Sequence, residues 1–198
     1  MHKAIRRLRM ADIFINLMRM ATQIMTYKEL ANLLGKSPPI ISRYKNGEVI
    51  PWTCELPGMC MKLWEAVKGK AEPTPFLMAL GALKQVAGTI IDYIVTVPGT
   101  PAEIATLMSY WLNRPIIWAR QKVVVEGESI SMDYVVPIPM PKRPHRPRRV
   151  AIIVENNFQA GCILLSLPPG VQAPTVLTMS DLSDDDLIEN VIIETTRL

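Results

Sequence analysis

Between residues 91 and 154, short apolar runs alternate with segments of helical pattern: IDYIVTV (91–97), PAEIATLMSYWL (101–112), PIIWARQ (115–121) and RVAIIV (149–154). Apolar runs rich in β-branched residues suit strands covered on both faces, and strands separated by helix-length connections pair in parallel. The alternation therefore predicts an α/β domain built on a parallel sheet. SISMDYVV (129–136) alternates strictly instead and reads as a strand in a protruding hairpin or flap. Open α/β sheets bind ligands at the carboxyl ends of their strands, which places a pocket at the loops after Val97 and Val154.

The chain before this region follows a different period. A helix over residues 2–25 carries Ile5, Leu8, Ala11, Ile13, Leu17, Met20 and Ile24 as an apolar stripe. Thr26 and Glu29 then form a capping box for TYKELANLLG, which Gly35 ends. Lys36 turns, Ser37 caps the next helix, and Pro38 and Pro39 are tolerated because a first helical turn has no internal donors to lose. IISRYK stops at Asn46-Gly47, residues suited to a left-handed C-cap. A further helix over residues 55–67 has Leu56, Cys60, Leu63, Trp64 and Val67 on one face. KGKAEPTP (68–75) has the composition of a linker, and FLMALGALKQVAG opens the second domain. The expected division is a small all-α domain of residues 1–70, with a helix-turn-helix at about 26–46, and an α/β domain of residues 71–198.

Composition narrows the function. The net charge of +4 conceals an asymmetry: residues 1–72 hold 12 Lys and Arg against 6 Asp and Glu, whereas residues 73–198 hold 10 against 12. Clustered cations attract phosphate, or simply solvate a helix. Asp92 interrupts the longest apolar run, and the arginines near the start are not followed by a cleavage site, so neither a membrane partner nor a secretory signal is expected and the chain reads as cytoplasmic. Cys54, Cys60 and Cys162 form no metal-binding spacing with His2 or His145. Ser183 with Asp184, Asp185 and Asp186 reads as a helix cap and first turn, or as a magnesium site. KRPHRPRR (142–149) closes over a phosphorylated ligand, touches DNA, or is a solvated loop.

Two resemblances give these segments a function. Thr26, Glu29, Leu30, Ala31, Leu34, Gly35, Ser37, Ile41, Ser42, Tyr44, Asn46, Gly47 and Pro51 are spaced as in the helix-turn-helix of the phage repressor and Cro family; an αα-hairpin of a helical domain carries the same pattern. The resemblance implies that Lys36, Ser37, Pro39, Ser42, Arg43 and Lys45 face double-stranded DNA, with Arg43 and Lys45 on phosphates or guanine edges. Over residues 75–162, IVTVPGTPAEIATLMSYWLNRPIIWARQ, EGESISMDYV and VAIIVENNFQAG resemble the type I phosphoribosyltransferase fold, and most closely the effector domain of the bacterial purine repressor family. Tyr110, Leu112, Asn113, Pro115, Arg120, Glu126, Gly127, Ser131, Tyr134 and Val135 carry the most specific part.

The second resemblance implies a phosphate cradle at Gln159, Ala160, Gly161 and Cys162, a pyrophosphate-facing turn at Pro98, Gly99 and Thr100, and charge from Arg120. The ribose-holding acidic pair maps to Glu155 and Asn156, or to Asn156 and Asn157 after a one-residue shift. Either way a carboxylate is lost, which disfavours glycosyl transfer but leaves hydroxyl binding possible. The expectation is thus a homodimeric transcriptional regulator that senses phosphoribosyl pyrophosphate or a nucleotide, with magnesium accompanying the pyrophosphate. Its rivals are an active purine or pyrimidine phosphoribosyltransferase with an accessory helical domain, and an RNA-binding attenuator.

Overall fold

The computed structural model of the chain describes residues 10–126, 129–139 and 147–196. Residues 2–9 of the first expected helix, Gly127 of the flap and residues 142–146 of the basic run lie outside them. The chain divides into two compact units, Met1–Gly81 with Ser183–Leu198, and Ala82–Leu182.

In the first unit α1 (Met10–Ile24) buries Ile13, Phe14, Leu17, Met18, Met20 and Ala21, a wider stripe than the sequence spacing indicates. Ile24, at its end, is exposed. The capping box forms at α2 (Tyr27–Leu34): the Thr26 hydroxyl accepts from Glu29 N at 3.3 Å, and Thr26 N donates to Glu29 Oε2 at 2.7 Å. Gly35 ends α2 in the left-handed region (φ 64°), with Lys36 N bonded back to Ala31 O at 2.9 Å. Ser37 starts α3 (Pro38–Asn46), but its side chain makes no capping hydrogen bond; only its carbonyl joins the first turn, accepting from Ile40 N and Ile41 N. Ile41 and Tyr44 are buried from α3, Tyr44 meeting Phe14 edge-to-face at 5.4 Å. All five expected core positions of α4 (Leu56–Val67) are buried, and burial pushes the Cys60 thiol up to about 12. After residues 68–74 comes α5 (Pro75–Gln85), a single helix that passes from one unit to the other.

The bonds from Thr26 hold the exposed Glu29 carboxyl below its ordinary range. A lowered folded-state value means that this contribution is complete at neutral pH and is lost as pH falls through that value. Thr26→Ala is expected to lower stability by about 1 kcal/mol at pH 7, whereas Glu29→Gln keeps a capping amide and flattens the acid limb of a stability-against-pH curve. An acid limb unchanged in Glu29→Gln contradicts the assignment.

The second unit is built on four parallel strands in the order β2 (Ile116–Trp118), β1 (Tyr93–Thr96), β5 (Arg148–Val154), β6 (Val171–Thr178). β1 (Tyr93–Thr96) leads through Pro98-Gly99 into α6 (Thr100–Leu112), followed by β2 (Ile116–Trp118). The expected strand 115–121 is split: Ala119 N donates to Thr96 O at 2.9 Å, and beyond it the chain leaves the sheet. It forms the antiparallel hairpin of β3 (Arg120–Glu126) and β4 (Ser129–Val135), the predicted flap. β5 (Arg148–Val154) then enters the sheet beside β1, buried continuously from Val150 to Val154 as its unalternated sequence requires. Val95, Val150, Ile152 and Val154 pack with Tyr134, Val136 and Ile138 and with Ala160 and Ile163 of α7 (Asn157–Leu165). The buried Thr96 hydroxyl is satisfied by Ile153 O at 3.0 Å, and Asp92, the charge inside the apolar run, accepts from Arg149 N at 3.0 Å.

β6 (Val171–Thr178) completes the sheet and is followed by the short α8 (Met179–Leu182) and by α9 (Asp185–Thr196). Thr178 and Asp181 form a capping box that stops the expected strand VLTMSD at Thr178: Thr178 N donates to Asp181 Oδ2 at 2.8 Å. Asp184, not Ser183, caps α9, its Oδ1 accepting from Leu187 N at 3.0 Å. α9 belongs to the helical unit, so the α/β unit is an insertion within it, whereas the sequence placed 71–198 in one domain. The contact behind it is long-range: Leu187 of α9 lies so close over Gly81 of α5 that a Cβ there would stand 2.8 Å from Leu187 Cδ2, and any larger residue would require the leucine to move. Ile188, Val191 and Ile192 are buried on α9, and Glu189 lies 3.9 Å from Lys68. No described helix is long and apolar enough to cross a membrane.

Candidate ligand and nucleic-acid sites

Two turns meet at the carboxyl ends of the neighbouring strands β1 and β5. Gly99 takes φ 108° and ψ −158°, a conformation that strains any residue with a Cβ, and a Cβ placed there would stand 3.1 Å from Glu155 Oε1. Glycine therefore lets the Glu155 carboxylate lie over the turn that starts α6. Thr100, expected in a loop, is already the first residue of that helix.

The turn after β5 departs from its expectation. Gln159, Ala160, Gly161 and Cys162 do not form a loop but lie within α7, because Asn156 is an N-cap and starts the helix directly after the strand. Its Oδ1 accepts from Gln159 N at 3.0 Å and its carbonyl from Ala160 N at 3.1 Å, so these two amides are not offered to a ligand. Gly161 and Cys162 amides fall in the helix interior, where backbone acceptors take them. The donors that point outward are those of Asn157 and Phe158, the first two of the helix, where the macrodipole favours an anion. Both residues are exposed. The Gln159 side chain turns back, its Oε1 accepting from Glu155 N at 3.0 Å.

Beside these turns lies a cleft of about 460 Å³ lined by Pro98, Arg120 and Gln159, three of the expected residues, together with Trp118, Gln121 and Tyr134. Its walls are apolar and aromatic, with one guanidinium and two amides. Glu155, Asn156, Asn157 and Gly161 do not line it, Ala160 is buried beneath α7, and Cys162 faces a different groove. None of Trp118, Gln121 and Tyr134 was expected to line the site: Trp118 ends the sheet strand β2, whereas Gln121 and Tyr134 reach the cleft on the hairpin, and pattern alone does not say where a flap folds back.

In the helical unit, α2 and α3 pack across the Gly35 turn, leaving Ser37, Pro39 and Arg43 exposed and Ser42 and Lys45 half-buried. Lys36 is not an open cation: its Nζ lies 3.1 and 3.2 Å from the Glu55 carboxylate oxygens, and that hydrogen bond raises its pKa. It ties the turn to the segment before α4. Lys45 Nζ sits 5.9 Å from the Tyr27 ring centroid, and Arg43 Nε 3.9 Å from Glu48.

No family model and no curated protein matches this chain. Among solved structures it is similar to a purine phosphoribosyltransferase from Pyrococcus horikoshii Ot3, with 19% identity and a TM-score of 0.34 over 50% of this chain and 65% of that one. The chain thus spans less than two thirds of that enzyme's length. It is also similar to a hypothetical protein from Neisseria gonorrhoeae with bound ppGpp, with 14% identity and a TM-score of 0.30 over 60% of this chain and 89% of that one.

Proposed function

We propose that this chain is a cytoplasmic DNA-binding transcriptional regulator whose α/β unit binds a phosphorylated ribose compound, phosphoribosyl pyrophosphate or a nucleotide, without turning it over. The observation that carries the reading is the gathering of Arg120, Gln159 and the Pro98 turn around one cleft at the carboxyl ends of a parallel sheet. A guanidinium grips phosphate through paired, charge-assisted hydrogen bonds, and Arg120 is the group in the cleft that can do so. Glycosyl transfer needs more. Its cation-like transition state calls for negative charge around the ribose, and Asn156 supplies hydrogen bonds without charge. Magnesium would accompany a pyrophosphate through that group's own oxygens, with Glu155 the carboxylate nearest the turn.

On the helical side, α3 offers Ser37, Pro39, Ser42, Arg43 and Lys45 along one edge, in the manner of a helix laid in the major groove. Two copies present two such helices, and a ligand changes their spacing only to the extent that it binds one arrangement more tightly. Fluorescence anisotropy on duplex DNA tests this. Replacing Arg43 or Lys45 by alanine is expected to weaken binding on every sequence and to reduce the slope of log affinity against log salt by about 0.9 for each phosphate no longer neutralised. An unchanged slope contradicts these roles, and loss on RNA but not DNA favours an attenuator.

One observation favours a second reading, an active phosphoribosyltransferase with an accessory helical domain: Glu155 keeps a carboxylate over the Gly99 turn. Base-dependent release of pyrophosphate would establish it.

A further inference from the structure

The helical unit sets a carboxylate against each end of α3. Before the helix, Lys36 Nζ lies 3.1 and 3.2 Å from the two Glu55 carboxylate oxygens. Glu55 is anchored at that point, its N donating to Trp52 O at 2.8 Å and its carbonyl accepting from Met59 N at 3.0 Å. After the helix, Glu48 Oε2 stands 3.9 Å from Arg43 Nε. The other Glu48 oxygen accepts from Asn46 Nδ2 at 3.0 Å, and Glu48 N donates to Arg43 O at 3.0 Å, so this carboxylate too is held in place. Lys45 lies over the Tyr27 ring. Each of the three cations on this edge therefore has a partner within its own chain.

Stability accounts poorly for the two ion pairs. All four side chains are more than a quarter exposed, where solvent screens the attraction and fixing two long side chains costs entropy. Such pairs open readily. A phosphate offers Lys and Arg the same charge-assisted hydrogen bonds as a carboxylate and can take its place. The exchange yields less than the capture of a phosphate by an open cation, because the displaced carboxylate keeps its charge beside the phosphate. We propose that Glu55 and Glu48 are built-in counter-charges of α3, displaced by the phosphates of duplex DNA, and that they hold down its affinity for the backbone. The inference rests on the DNA-binding reading of α3 given above. What falls is the sequence-independent part of binding, so base edges reached from α3 carry a larger share of what remains.

Fluorescence anisotropy of the full chain on a random-sequence DNA duplex, over a range of salt, gives the test, with thermal unfolding of each variant run in parallel. Glu55→Gln and Glu48→Gln keep the side-chain shape and lose the charge. Each is expected to tighten binding by about 5- to 10-fold at about 0.1 M salt and to steepen the slope of log affinity against log salt by up to about 0.9, the response to one more phosphate neutralised. The direction is opposite to that of Arg43→Ala. Unfolding midpoints are expected to move little. A carboxylate acting only through the general field of the protein would have its effect whether or not its partner is present, so a double-mutant cycle reads the pairing. Glu55→Gln in a Lys36→Gln background, and Glu48→Gln in an Arg43→Ala background, are each expected to change affinity by less than about 2-fold. A chain that binds DNA with the salt response expected of Arg43 and Lys45, yet is indifferent to either glutamate substitution, overturns the proposal and leaves the DNA-binding reading standing. Tightening that persists undiminished in the Lys36 and Arg43 backgrounds does the same. Absence of binding by the wild type and by every variant overturns both.

Discussion

Trp64→Ala is expected to remove about 3–5 kcal/mol from the helical unit, the usual cost of deleting a large buried aromatic and leaving a cavity. That is a large share of the total stability of a domain, about 5–15 kcal/mol. Trp64 is fully buried on α4, in the same core as Phe14 and Leu17 of α1. Its Nε1 donor is buried with no partner among the described residues, a group that carries its desolvation cost in the folded state. Trp64→Phe, which removes that donor with modest loss of volume, is therefore expected to cost much less than the alanine variant. Urea denaturation followed by circular dichroism checks both. Equal losses from the two substitutions would mean that the indole nitrogen is satisfied in solution.

Arg120→Ala is expected to weaken binding of phosphoribosyl pyrophosphate by about 10- to 150-fold, corresponding to about 1.5–3 kcal/mol for a hydrogen bond to a charged group. Stability should stay within about 0.5 kcal/mol, as for other surface positions, because Arg120 is exposed at the start of the hairpin. Arg120→Lys keeps the charge and loses the fork, so it is expected to fall between the two. Calorimetric titration of each variant measures the series. Binding indifferent to both substitutions would place the phosphate elsewhere.

Much of the architecture was legible because local chemistry and burial agreed. β5 reads as a covered strand from RVAIIV alone, and the Thr26–Glu29 box and Gly35 place the α2–α3 turn without any tertiary information. Some of the departures have equally local causes, and others are long-range. Asn156 is a strong N-cap former three residues before Gln159, so it starts α7 at once and removes the loop that the resemblance called for. Thr178 and Asp181 carry the same kind of signal, overlooked because the preceding residues read as strand. The return of α9 to the helical unit rests on long-range packing, with Ile188, Val191 and Ile192 buried and Leu187 lying over Gly81, contacts between residues far apart in the chain that no period reveals. The cleft was half legible for the same reason: Pro98, Arg120 and Gln159 follow strand ends or motif positions, whereas Gln121 and Tyr134 depend on where the hairpin folds and Trp118 on where β2 ends.

The claim on which the regulatory reading rests is that the strand-end cleft holds an anionic ribose compound although the carboxylate pair suited to its turnover is incomplete. Isothermal titration of the full chain with phosphoribosyl pyrophosphate and magnesium, then with the common nucleotides, tests it when pyrophosphate release is followed in the same samples with each nucleobase added. The expected result is saturable binding at one site per chain for at least one of these compounds, with no release of pyrophosphate. Absence of saturable heat from every compound, or base-dependent release of pyrophosphate, would contradict it.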